Sequence, residues 1–61
     1  MIKQLHLYDA IHDTRECVAV NFDKVQYFKP NNICRQFTDI YFSRDERITV
    51  WESYDSLLKS F

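Results

Sequence analysis

A chain of 61 residues has room for one domain, and a domain that small buries only about 60% of the surface its unfolded form exposes. Eight basic against nine acidic residues leave a formal net charge of −1, which argues against general nucleic-acid binding, since no positive footprint faces a phosphate backbone. With no glycine, Gly-rich phosphate cradles are excluded, and turns must use Asn, Asp or type I geometry.

The first predicted strand covers residues 2–8, where Leu5 and Leu7 alternate with Gln4, His6 and Tyr8. Residues 9–15, from Asp9 to Arg15, are polar and rich in turn formers, and read as a connection. Cys17 to Phe22 is apolar on both parities and predicts a strand covered on both faces. Asp23-Lys24 interrupts it, and Val25 to Lys29 is extended again until Pro30, which cannot donate to a ladder. Pro30-Asn31-Asn32 is a turn, with 33–36 either loop or the start of the next strand. Phe37 to Phe42 is β-branched and aromatic, and the charged turn 43–47 makes a hairpin with Ile48 to Trp51. Ser53 is placed to cap a helix, Asp55 suits the positive end of its dipole, and Tyr54, Leu57, Leu58 and Phe61 make one apolar stripe.

Chemistry-bearing residues are sparse. His6 and His12 stand with five residues between them, but Cys17 and Cys34 lack the close spacing that would supply the second half of a zinc site, so no metal is expected and His6 reads as a polar-face strand residue. No group orients a Cys–His nucleophile pair, so no catalytic residues are assigned and no enzyme is expected. No cofactor is expected either. There is no run of about 18 apolar residues and no basic-then-apolar leader, which predicts neither a membrane span nor a signal peptide. A cytoplasmic protein follows, with Cys17 and Cys34 reduced and buried as small hydrophobes.

Apolar surplus is the strongest functional pointer. Val18, Val20 and Phe22 stand on one parity and Cys17 and Ala19 on the other, while Ile40 and Phe42 oppose Phe37 and Tyr41. One helix covers one sheet face, so either the sheet curls into a small barrel or a partner supplies the second cover. We expect a homo-oligomer, with five Phe, four Tyr and one Trp supplying the packing. The hairpin residues Arg44, Asp45, Glu46 and Arg47, with Tyr41, Phe42 and Trp51, are the expected partner-binding group. A nucleotide ligand is the alternative, with Tyr8, Tyr27 and Tyr41 stacking on bases and Lys29, Arg35, Arg44 and Arg47 pairing phosphates in a pocket between subunits.

Met1-Ile2-Lys3, Val20-Asn21, Val25-Gln26-Tyr27-Phe28, Thr38-Asp39-Ile40-Tyr41-Phe42, and Ile48-Thr49-Val50-Trp51-Glu52-Ser53 before a short helix together resemble the FlbD-like (SwrD) family of small bacterial flagellar accessory proteins. Glu52-Ser53 matches that family's end motif, while Trp51 stands where it commonly carries Lys, the hairpin lacks its usual Asn-Gly, and Asn31 to Gln36 is an insertion. The resemblance implies a non-enzymatic helper acting through protein contacts; a phage or prophage accessory protein that binds a host factor fits the same chain. The expected fold is α+β: a small antiparallel β-meander of four to five strands, with one short C-terminal helix packed on one face, forming a single domain over 1–61.

Overall fold

Strand alternation decides which side chains enter the core. In the computed structural model, residues 1–9, 11, 12 and 14–61 are described. Five strands form: β1 (Ile2–Asp9), β2 (Thr14–Asn21), β3 (Tyr27–Pro30), β4 (Thr38–Ser43) and β5 (Glu46–Val50), followed by the helix α1 (Tyr54–Lys59). They make one antiparallel sheet in the order β2-β1-β5-β4-β3. The order is therefore not that of a single meander. A hairpin of β1 and β2 meets a three-stranded unit, β3-β4-β5, and the two join where Leu7 pairs with Val50.

Cross-strand partners share a face, so the register sorts the sheet into two sides. Leu5 opposes Val18, Leu7 opposes Val50, Thr38 opposes Val50, and Ile40 lies between Ile48 and Phe28. That side holds the core: Leu5, Val20, Ile40, Val50 and Leu57 are buried, with Val18, Phe22, Val25, Phe28, Phe42 and Ile48 packed around them. The other side carries Gln4, His6 and Tyr8 from β1, Cys17 and Ala19 from β2, Tyr27 and Lys29 from β3, Asp39 and Tyr41 from β4, and Arg47 and Thr49 from β5. The two-sided apolar reading of residues 17–22 is thus corrected: Val18 and Val20 face inward, whereas Cys17 and Ala19 are exposed. Both thiols are free, and Cys17 is not the buried hydrophobe expected of it, because the register turns it to the polar side.

Boundaries move where local signals compete with pairing. The connection expected over 9–15 contains Ala10 and Asp13, which lie outside the described residues; Asp9 and Thr14 already pair as strand ends, so Arg15 belongs to β2. Phe22–Lys24 forms a single 3-10 turn instead of continuing β2, with the Asn21 side chain accepting from the Asp23 amide at 3.0 Å. Pro30 ends β3, an edge strand, where a missing donor costs no ladder bond. A β-bulge between Tyr41 and Ser43 precedes the Arg44-Asp45 turn, so β5 begins at Glu46.

Ser53 caps α1, its Oγ accepting from the Ser56 amide at 3.2 Å. The helix is only 6 residues long, and its buried stripe is narrower than the sequence suggests. Leu57 is buried, but Leu58, about 100° further round the helix, is half exposed. Phe61 lies beyond the helix, yet its ring reaches Phe22 at 5.0 Å and Phe28 at 6.1 Å. Tyr54 meets Phe28 at 5.6 Å from the preceding turn.

With so few buried side chains, each matters. Leu57→Ala and Ile40→Ala are each expected to cost about 2–5 kcal/mol, a large share of the roughly 3–9 kcal/mol available to a chain of this length. Urea unfolding followed by circular dichroism reads this as a fall in midpoint, whereas Leu58→Ala should move it by less than about 1 kcal/mol.

Candidate functional site

The polar side of the sheet is organised around a buried carboxylate. Asp39 is the second residue of β4 and is only 1% exposed, an expensive position for a charge unless it is hydrogen-bonded. Thr49 Oγ1, directly across on β5, donates to Asp39 Oδ1 at 2.7 Å, and Asn31 Nδ2 donates to the same oxygen at 3.0 Å. Arg47 Nη1 supplies the third bond, to Oδ2 at 3.3 Å. The Asn31 side-chain oxygen Oδ1 in turn accepts from the Ile33 and Cys34 amides, both at 2.9 Å, which shapes the loop leading to Phe37. Asp39 therefore ties together the strands and the 31–37 loop laid beside them.

Two aromatic groups flank this hub. Tyr27 and Tyr41, cross-strand partners on β3 and β4, stack with centroids 4.6 Å apart and planes at 15°. Lys29 lies 5.7 Å from the Tyr41 ring, and Arg47 Nη1 reaches the Tyr41 hydroxyl at 3.5 Å. The hydrogen bond to Tyr41, with the Asp39 charge behind it, raises the Arg47 guanidinium above its ordinary value. At the other end of the sheet Tyr8 stacks on Phe37 at 4.4 Å, and Trp51 meets both rings edge-on at 5.2 and 4.9 Å. Arg15 covers the indole, its guanidinium carbon 4.2 Å from the ring centre. Among the described residues, Trp51 Nε1 is buried without a hydrogen-bond partner.

The seven residues expected to bind a partner do not form one surface. Arg44, Asp45, Glu46 and Arg47 are all exposed at the hairpin, and Tyr41 joins Arg47 on the polar side. Phe42 turns to the opposite side and packs against the core. Trp51 belongs to the Tyr8–Phe37 group. Sequence reasoning missed Asp39 as a hub and Phe37 as the clasp on the second aromatic group. A strand aspartate flanked by β-branched and aromatic residues was the available signal for the first, because a charge in such a run needs partners.

Where β1 and β5 part beyond the Leu7–Val50 pair, a cavity of about 530 Å³ opens between the strands and the 31–37 loop. Leu7, Tyr8, Phe37, Arg47 and Ile48 are among its walls. A shallower recess of about 360 Å³ lies on the core side of Leu7 and Ile48, reaching Val18 and Phe42.

No metal-ligating group of three or more His, Cys, Asp and Glu side chains occurs among the described residues, and no described helix is long and apolar enough to cross a membrane. No protein-family model matches the chain, nor does any curated protein or solved structure.

His6 and Glu52 close the seam between β1 and the segment after β5. The His6 amide donates to Glu52 Oε1 at 2.9 Å, His6 Nδ1 lies 2.7 Å from Oε2, and the Trp51 amide donates to the His6 carbonyl at 2.8 Å. Burial pushes the Glu52 carboxyl up, but the His6 ring and backbone hydrogen bonds outweigh it and hold Glu52 below its ordinary 4.5. A carboxyl depressed in the fold stabilises it above the unfolded value and loses that contribution as acid protonates the folded form. Stability should therefore fall as pH drops below about 4.5, and Glu52→Gln should flatten that limb while costing about 1 kcal/mol at neutral pH. Thermal melts from pH 3 to 7 check both, with Asp9, also held low by the His12 ring and the Ile11 amide, left intact as the background.

Proposed function

We propose that this protein is a non-enzymatic interaction module that works by protein–protein binding and self-associates. The observation that carries this reading is the Tyr27–Tyr41 stack on the open side of the sheet, with Tyr27 half exposed and cations Lys29 and Arg47 beside it. Neither ring contributes to the buried core. Exposed Tyr and Arg, held rigid by neighbours, are the residue types that dominate the energy of protein interfaces. Arg47 is fixed by Asp39 and Tyr41, so it enters a contact with little side-chain ordering left to lose. Arg44, Asp45 and Glu46 supply mixed charge at the rim, suited to selecting a partner more than to holding it.

Self-association rests on the remaining apolar exposure. Ile11 is 88% exposed and Ile33 96%, each in a loop shaped by an Asx side chain, and β2 and β3 leave the sheet with two strand edges. A helper of the flagellar accessory kind, the class the sequence resemblance implies, fits a small binding module of this sort.

Light scattering on a size-exclusion column should show a mass above that of one chain, rising with concentration. Tyr41→Ala should weaken that association or the binding of a partner by more than about 1 kcal/mol, and Arg44→Ala should weaken partner binding with an unchanged melting temperature. Phe42→Ala and Trp51→Ala should instead lower the melting temperature, because both rings pack within the chain. A clean monomer at several hundred micromolar removes the self-association, and unaltered partner binding in both Tyr41→Ala and Arg44→Ala removes this surface.

A further inference from the structure

The cavity between β1 and β5 contains an under-used cation. Its volume of about 530 Å³ falls within the roughly 300–1,000 Å³ typical of ligand clefts. Its walls are mainly apolar, with Leu7 and Ile48 from the parting strands and the stacked Tyr8 and Phe37 rings, while Arg47 and the half-buried Cys34 thiol also line it. The neighbouring polar groups are already engaged. Both Asn31 side-chain amide atoms are bonded, Thr49 donates to Asp39, and of the Asp9 carboxylate oxygens Oδ1 accepts from the Ile11 and His12 amides while Oδ2 lies 2.8 Å from His12 Nδ1. Arg47 differs. Both of its bonds leave from Nη1, and among the described residues Nε and Nη2 make none. Those two nitrogens form the fork that pairs side-on with a carboxylate or phosphate.

We infer that this cavity is a binding site for a small aromatic anion, its ring between Leu7, Ile48 and the Tyr8–Phe37 wall and its acidic group on the free Nε–Nη2 fork of Arg47. Apolar walls with one placed charge are the usual composition of such sites. The buried Asp39 carboxylate and the Tyr41 hydroxyl hold the guanidinium in position before a ligand arrives, so the ligand need not order it. Aromatic rings meet Tyr and Phe in offset or edge-on geometry, which favours a flat body over a flexible chain. A nucleoside monophosphate and a simple aryl carboxylic acid share this chemistry. The site lies within one chain and does not depend on self-association or on a protein partner.

Titration with 1-naphthoate, neutral 1-naphthalenemethanol and AMP tests it. Trp51, the chain's single tryptophan, touches both Tyr8 and Phe37, so its emission reports on the cavity wall. Naphthoate should change that emission saturably, bind more tightly than naphthalenemethanol, and slow alkylation of Cys34 by iodoacetamide while exposed Cys17 reacts at its unchanged rate. Arg47→Gln should weaken naphthoate about tenfold and leave naphthalenemethanol unaffected, whereas Arg44→Gln, on the same hairpin but outside the cavity walls, should change neither. Tighter AMP than naphthoate assigns the nucleotide class; tighter naphthoate assigns the aryl acid. No saturation with either anion overturns the proposal, as does an equal loss in Arg44→Gln. Should Arg47→Gln unfold, the preference for naphthoate over naphthalenemethanol and the selective protection of Cys34 decide the matter in the unaltered protein. Light scattering on the same samples reports self-association separately, so either reading can fail without the other.

Discussion

The seam between β1 and β5 is what the rest of the sheet depends on. It is short: one register pair, Leu7 with Val50, extended by the Trp51 amide on the His6 carbonyl and by Glu52 on the His6 amide and ring. Without it the chain is a two-stranded hairpin beside a three-stranded one, and an isolated hairpin is at best marginally stable in water. Core packing reinforces the seam where hydrogen bonding is sparse. Leu5 and Val50 lie on either side of it, and Leu57 joins them from the helix. The Thr38 hydroxyl adds a bond of 2.7 Å to the Glu52 carbonyl, tying β4 to the same point.

Polar and aromatic groups on the second side follow from the same arrangement. Because β1 and β5 part beyond Leu7, the 31–37 loop lies beside the opening and brings Phe37 onto Tyr8 and Trp51. Asp39 anchors that loop through Asn31 and also fixes Arg47, so a single buried carboxylate links the cavity wall to the exposed Tyr27–Tyr41 pair. The energetic stakes there are high, since a buried carboxylate that lost its donors would be strongly unfavourable. The surface proposed for a partner and the cavity proposed for a ligand thus share one positioning residue.

Local patterns exposed most of the elements in the sequence and few of their relations. Alternation of Leu5 and Leu7, the β-branched and aromatic run at 37–42, and Ser53 before Tyr54 each act within a few residues, and each matched what formed to within a residue or so. An antiparallel sheet of four to five strands with a short terminal helix was legible on that basis, and five strands formed. Strand order was not, because the Leu7–Val50 pairing has no signature near either residue. Residues 17–22 read as covered on both faces for the same reason: only the partner register turns Val18 and Val20 inward and Cys17 and Ala19 outward. Of the candidate site, the exposure of the hairpin charges at 44–47 was legible, while the aromatic clasp on Trp51 and the hub at Asp39 depend on a loop whose path the sequence does not announce.

That seam also orders events in time. Ribosomal synthesis makes β1 before the other four strands and β5 after them, so the first strand waits unpaired on one flank until β5 is made. Joining the two requires closure of the long loop between Leu7 and Val50, an entropic toll that local hairpins do not face. Meanwhile Leu5 and Val18 stay accessible to any hydrophobic surface they meet, and the nascent protein is at its stickiest just before it acquires its last strand.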